Sequence, residues 1–182
     1  SGDMATSKTG SFWLTELIEI DTTSTAVQET IDLGAYVDVG DQQAIAIEQV
    51  DFIYQGTDGS GNVTPGIGQS FGADAVAAVQ LTDLNPGSEL IQADDNTLIA
   101  SGQVYYDSAM VVSTGPDFFP DIFGKLDESR MVVNDQLYCV AEAICTTFTN
   151  PLWVTVRIKA RIVKLSTKDW MSIAIQSTAS DN

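Results

Sequence analysis

Apolar and polar residues alternate with a period of two along most of this chain, the pattern of strands that bury one face. Phe12–Ile20 places Phe12, Leu14, Ile18 and Ile20 in one parity, and Val27–Leu33 alternates more cleanly. Ala44–Tyr54 is a long β-rich run after the turn-like Val39-Gly-Asp-Gln42, and the alanine-rich Ala73–Asp83 fits a buried strand better than a helix. Asn85-Pro-Gly-Ser88 is a turn; Asp94–Ala100 is expected to form a short helix capped by Asp94 or Asp95, before Gln103–Val112 returns to strand. Arg130–Val133 and Leu137–Phe148, separated by Asn134-Asp135, predict a hairpin. Gly56–Gly72 holds six glycines and Pro65 and is expected to be an extended loop with no regular structure of its own. About eight strands joined by turns, with at most one or two short helices, give an all-β antiparallel sandwich or barrel.

The last strand, Leu152–Leu165, has two contrasting faces. Leu152, Val154, Val156, Ile158, Ala160 and Ile162 form an apolar stripe that belongs in the core. Thr155, Arg157, Lys159 and Arg161 dominate the other side, where the cations recur every ~6.6 Å by the two-residue strand period. Such a row is either a sheet face solvated or paired with acids on neighbouring strands, Glu142 being one choice, or an interface meeting an anionic neighbour. Gly115–Gly124 is a turn-rich aromatic loop whose Phe118, Phe119 and Phe123 either plug the core or contact another chain.

Composition narrows the picture. The 182 residues are 44% hydrophobic and 18% charged, which suits one globular domain, here 12–176, between a flexible N-terminal segment at 1–11 and a flexible tail at 177–182. The N-terminus lacks the basic and apolar regions of a signal peptide, and no apolar stretch is long enough to span a bilayer, so a soluble protein is expected. Net charge is −17, unevenly spread: residues 1–124 hold one base, Lys8, against nineteen acids, whereas 125–182 hold seven bases against six acids. This disfavours sequence-specific nucleic-acid binding and suits a halophilic setting, where salt screens the repulsion.

Candidate chemistry is sparse. Histidine is absent, which removes Ser-His-Asp, Cys-His and histidine-zinc chemistry. Asp58-Gly-Ser-Gly-Asn62 matches the start of a calcium loop, but Val63 and Gln69 stand where that loop needs glycine and glutamate, so a glycine-rich turn is expected. Gly66–Gly72 lacks the Gly-Lys-Ser/Thr of a phosphate loop. Cys139 and Cys145 lie ~20 Å apart on an extended strand, which predicts buried free thiols unless the chain reverses between them. No cofactor, metal or catalytic group is expected, and the chain is read as a non-enzyme.

Thr30-Ile-Asp-Leu-Gly-Ala-Tyr-Val-Asp-Val39, Gln43–Ile53 and the closing Asn150-Pro-Leu-Trp-Val-Thr-Val-Arg-Ile-Lys-Ala-Arg161 resemble the small single jelly-roll major capsid proteins of tailless icosahedral double-stranded DNA viruses with an internal membrane, of haloarchaeal and thermophilic-bacterial type. That resemblance implies an eight-stranded jelly roll, self-association into capsomers, a second related capsid protein as partner and contact with the internal membrane or its proteins. It further implies synthesis in the host cytoplasm, a place in the virion shell, and no catalytic residues. Arg157, Lys159, Arg161, Phe118, Phe119 and Phe123 are then interface candidates. The competing expectation is a non-catalytic β-sandwich binding module of carbohydrate-binding or adhesin type.

Overall fold

The computed structural model describes residues 5–109, 112–114, 117–118 and 130–179. Its strands are β1 (Ala5–Ser7), β2 (Phe12–Ile20), β3 (Val27–Asp32), β4 (Gln43–Thr57), β5 (Val63–Thr64), β6 (Ala75–Thr82), β7 (Leu98–Asp107), β8 (Val112–Thr114), β9 (Asp117–Phe118), β10 (Arg130–Val132), β11 (Gln136–Cys145) and β12 (Leu152–Leu165). One helix, α1 (Thr167–Ala179), follows. Pairing is antiparallel throughout the named strands and builds two sheets. The first runs β2-β12-β4-β10, with β1 continuing beyond β2 along β12 and β5 beside β4. The second runs β3-β11-β6-β7, with β8 and β9 on β7. Taken in chain order, the eight principal strands change sheet at every connection except β6 to β7, which is the double Greek key of a jelly roll.

The core lies between the sheets. Ile18, Ile20, Leu81, Leu137 and alternate residues of β12 from Leu152 to Ala160 lose all contact with solvent there. A bulge then reorganises the longest pairing: the β12–β4 register shifts between Lys159 and Ala160, so that Gln49 and Ile47 are consecutive partners and Glu48 is the extra residue. Because side chains alternate, that one residue changes which parity of β4 faces inward. Ile45 and Ile47 point into the core before it; Val50, Phe52 and Tyr54 do so after it.

Helix α1 gives the first sheet a second covered face. Ser166 Oγ accepts the Asp169 backbone N–H at 3.1 Å and donates to the Asp169 carboxylate at 2.8 Å, which caps the first turn. Trp170 then packs with Ala44, Ala46, Met131, Val163 and Leu165 on the outer side of the sheet. Ala44-Ile-Ala-Ile47 is therefore buried at four successive positions, two against the core and two under the helix. Beside the helix-covered residues, Arg130 on β10 pairs at 2.9 Å with buried Asp83, which follows β6, and so ties one sheet to the other.

Four expectations change. Asp94–Ala100 is not a helix: Asp95 Oδ1 accepts the backbone N–H and hydroxyl of Thr97 in an Asx-type turn, and β7 begins at Leu98. Asn134-Asp135 does not close a hairpin, because β10 pairs with β4 and β11 with β3 and β6, so the turn carries the chain between sheets. Gly56–Gly72 is more ordered than its glycines suggest, holding the end of β4, β5 and a 3₁₀ turn at Gly68–Ser70. A Cβ on Gly56 would lie 2.8 Å from the Gly66 carbonyl oxygen, so glycine allows that close approach. Ala5–Ser7, set in the terminal segment by the pattern alone, pairs with β12 as β1.

Candidate assembly interface

Among the described residues nothing covers the outer face of the first sheet beyond the reach of α1, and the strand register lays its side chains out in rows. Glu19, Trp153 and Gln55 form one; Leu17, Thr155 and Ile53 the next; then Thr15, Arg157 and Asp51; then Trp13, Lys159 and Gln49. Leu17 is 48% exposed, Trp13 42% and Ile53 37%, so large apolar side chains stand in solvent on the same face as the cations. The guanidinium of Arg157 lies 4.4 Å from the centre of the Trp13 ring, a cation–π contact that draws it toward β2. Asp51, on the β4 side, accepts hydrogen bonds from Gln49 at 3.1 Å.

Arg161 has a different setting. It pairs with Glu48, the bulge residue, and donates to Ser11 Oγ at 3.2 Å while that hydroxyl donates to the same carboxylate. The acid serving this strand is thus Glu48 and not Glu142, which lies on β11 in the other sheet. Among the described residues neither Arg157 nor Lys159 enters an ion pair. The cationic row therefore divides into one arginine committed within the domain and two cations on an apolar outer face. Phe118 is placed by its backbone in β9 opposite Ser101, and Phe119 and Phe123 lie outside the described residues. The exposed Leu17 and Ile53 were missed in the sequence: the parity of Leu17, opposite to that of Ile18 and Ile20, marks it as outward, whereas Ile53 shares the parity of Ile45 and Ile47 and faces outward only because of the bulge at Glu48.

The remaining candidates have local explanations. The Asp58 carboxylate accepts the backbone N–H groups of Ser60 and Asn62 at 2.7 and 2.9 Å, which holds it below its ordinary value and organises the β4–β5 turn. Cys139 and Cys145 are free thiols on the inner face of β11; burial pushes Cys139 up to about 12, with the charges of Glu16 and Glu29 adding to it. On the outer face of the second sheet a shallow cleft of about 320 Å³ runs between Gln80, Ile91 and Gln103. Gln80 closes it underneath by bonding both the N–H and the carbonyl of Ile91, at 2.7 and 2.9 Å.

Glu16 is a carboxylate on the inward parity of β2, opposite Val156, and Glu29 holds the corresponding parity of β3, opposite buried Cys139. Burial first, and then the charge of Glu29, raise Glu16 above its ordinary value of 4.5. A carboxyl raised on folding binds its proton more readily in the native state, so its contribution to stability is present at acid pH and lost as pH rises through the folded value. Glu16→Gln should therefore raise the thermal midpoint at pH 7, and the gain should vanish by pH 4. Calorimetry of both proteins across that range checks it; a variant less stable at pH 7 would contradict it.

No protein-family model matches the chain, and no curated protein matches it. It is similar in structure to Desmodium yellow mottle tymovirus at 6% identity, over 87% of this chain and 90% of that one, with a TM-score of 0.39. It is also similar to VP1 of Trichodysplasia spinulosa-associated polyomavirus in complex with sialylated precision glycooligomers, at 7% identity, over 89% and 99% of the two chains, with a TM-score of 0.41.

Proposed function

We propose that this chain is a structural subunit of a virion shell that associates with further copies of itself through the outer face of the first sheet. The observation that carries the reading is the strand order β2-β12-β4-β10 against β3-β11-β6-β7, a complete jelly roll, an architecture that viral capsids share with lectins and cupins. A fold alone does not choose among those roles. The uncovered rows around Leu17, Thr155 and Ile53, flanked by Arg157 and Lys159, favour association between chains: they join apolar area to a charge that meets its opposite on a chain of net −17. The finer reading, supported by the sequence resemblance, is a capsomer subunit of a tailless icosahedral virus, made in the host cytoplasm and set beside a second related capsid protein over an internal membrane.

Replacing Arg157 and Lys159 together with glutamine keeps strand length and the inward stripe, so the fold should survive while the association constant falls about tenfold or more. Arg161→Gln alone should leave association unchanged and cost about 1 kcal/mol of stability, since it breaks only the partly exposed pair with Glu48 and the exposed hydrogen bond to Ser11. Sedimentation velocity at fixed salt separates the two effects. Undiminished association of the double variant would make the row a solvated sheet face.

A further inference from the structure

The outer face of the second sheet carries the counterpart of the first. From the strand register and the exposed side chains, we infer that the occupant of the first sheet's outer face is the β11-β6-β7 surface of a second copy of this chain. The inference rests on the assembling-subunit reading and specifies which two faces meet. Val76 pairs with Ile144 on one side and Tyr105 on the other, so these three side chains form one row across three strands. Ile144 is 56% exposed and Tyr105 45%. The adjacent row is Glu142, Ala78 and Gln103, and Tyr105 lies along it by donating its hydroxyl to Gln103 at 2.7 Å.

The first sheet repeats this arrangement with the sign reversed. There Leu17, Thr155 and Ile53 make the apolar row and Arg157 stands in the next. On both faces an apolar row ~10 Å wide lies one two-residue step, ~6.6 Å, from a charged side chain on the central strand or its neighbour. Among the described residues Glu142, like Arg157, enters no ion pair. Stacking the two faces brings apolar row onto apolar row and carboxylate to guanidinium. A two-fold dimer through the second-sheet face would leave Glu142 facing a surface with no cation in its rows, whereas the first-sheet face supplies Arg157 and Lys159. Since the joined surfaces differ, the contact is head-to-tail and extends from copy to copy into a ring or a shell.

The decisive set is Arg157→Glu, Glu142→Arg and the chain carrying both, compared with the parent by sedimentation velocity and light scattering at one salt concentration. Circular dichroism and thermal midpoints verify folding, and Tyr105→Ser with Ile144→Ser, which change no charge, form an independent variant of the same face. Each single charge reversal should lower the association constant about tenfold or more, the combined chain should recover most of that loss, and the serine pair should weaken association as well. If Arg157→Glu weakens association while Glu142→Arg and the serine pair leave it unchanged, or if the combined chain is no better than the singles, the second-sheet face is not the occupant and the inference is overturned, with self-assembly itself intact. If the parent stays monomeric at every concentration and salt, the assembling-subunit reading falls instead.

Discussion

Deleting Glu48 should leave the chain without its native sandwich, although the residue is charged and outside the core. Glu48 is the extra residue that lets β4 present Ile45 and Ile47 inward on one side of the bulge and Val50, Phe52 and Tyr54 inward on the other. Without it, β12 can keep register with only one half of β4, and the other half turns its apolar residues to solvent and its polar ones to the core. Moving three large apolar side chains out at about 1.5–3 kcal/mol each costs ~5–9 kcal/mol, which rivals the 5–15 kcal/mol total stability of a domain. The expected product is insoluble, or retains β-type far-UV circular dichroism without a cooperative melt. Glu48→Ala keeps the residue count and loses only the Arg161 pair and the exposed Ser11 hydrogen bond, so it should fold and melt within about 2 kcal/mol of the parent. A deletion variant that melts like the parent would contradict this account of the bulge.

The thermal midpoint should rise steeply from 10 mM to 1 M potassium chloride. Residues 1–124 carry nineteen acids against Lys8, and the described residues form two ion pairs, so most of this charge repels within the folded domain with little to offset it. Screening shortens from ~30 Å to ~3 Å over that range. Each kcal/mol of repulsion removed is worth about 2–4 °C for a chain of this size. Chloride is the informative anion, because sulfate also strengthens apolar burial. A flat or falling midpoint would argue against a repulsion-limited fold and against a halophilic source.

The chain's two periodicities were unequally legible. β2 and β12 each show one apolar face, and that parity marked them as strands of a sandwich, whereas the alanine-rich β6 was nearly as compatible with a helix and β11 read as a continuous apolar run. Helix α1 escaped because it follows β12 without a glycine or proline break, and its apolar residues form no single stripe: Trp170, Ile173 and Ala174 pack on the sheet while Met171 and Ile175 stand in solvent. Its trace in the sequence was indirect: the unbroken Ala44–Ile47 run demands cover on both faces. Which sheet a strand joins cannot be read from its own residues, so Asn134-Asp135 looked like a hairpin where the chain changes sheets. The cationic row was visible as a pattern of odd positions, but its division was not. The pairing of Arg161 with Glu48 depends on a bulge 113 residues away in sequence, and the stacking of Arg157 on Trp13 depends on the β2 register.

Electron microscopy of the purified chain at molar potassium chloride, with sedimentation velocity on the same sample, tests the central claim most directly. A shell subunit with complementary faces should form rings, capsomers or closed particles of uniform size as protein concentration increases. A protein that remains a monomer of 19.5 kDa under those conditions would contradict it.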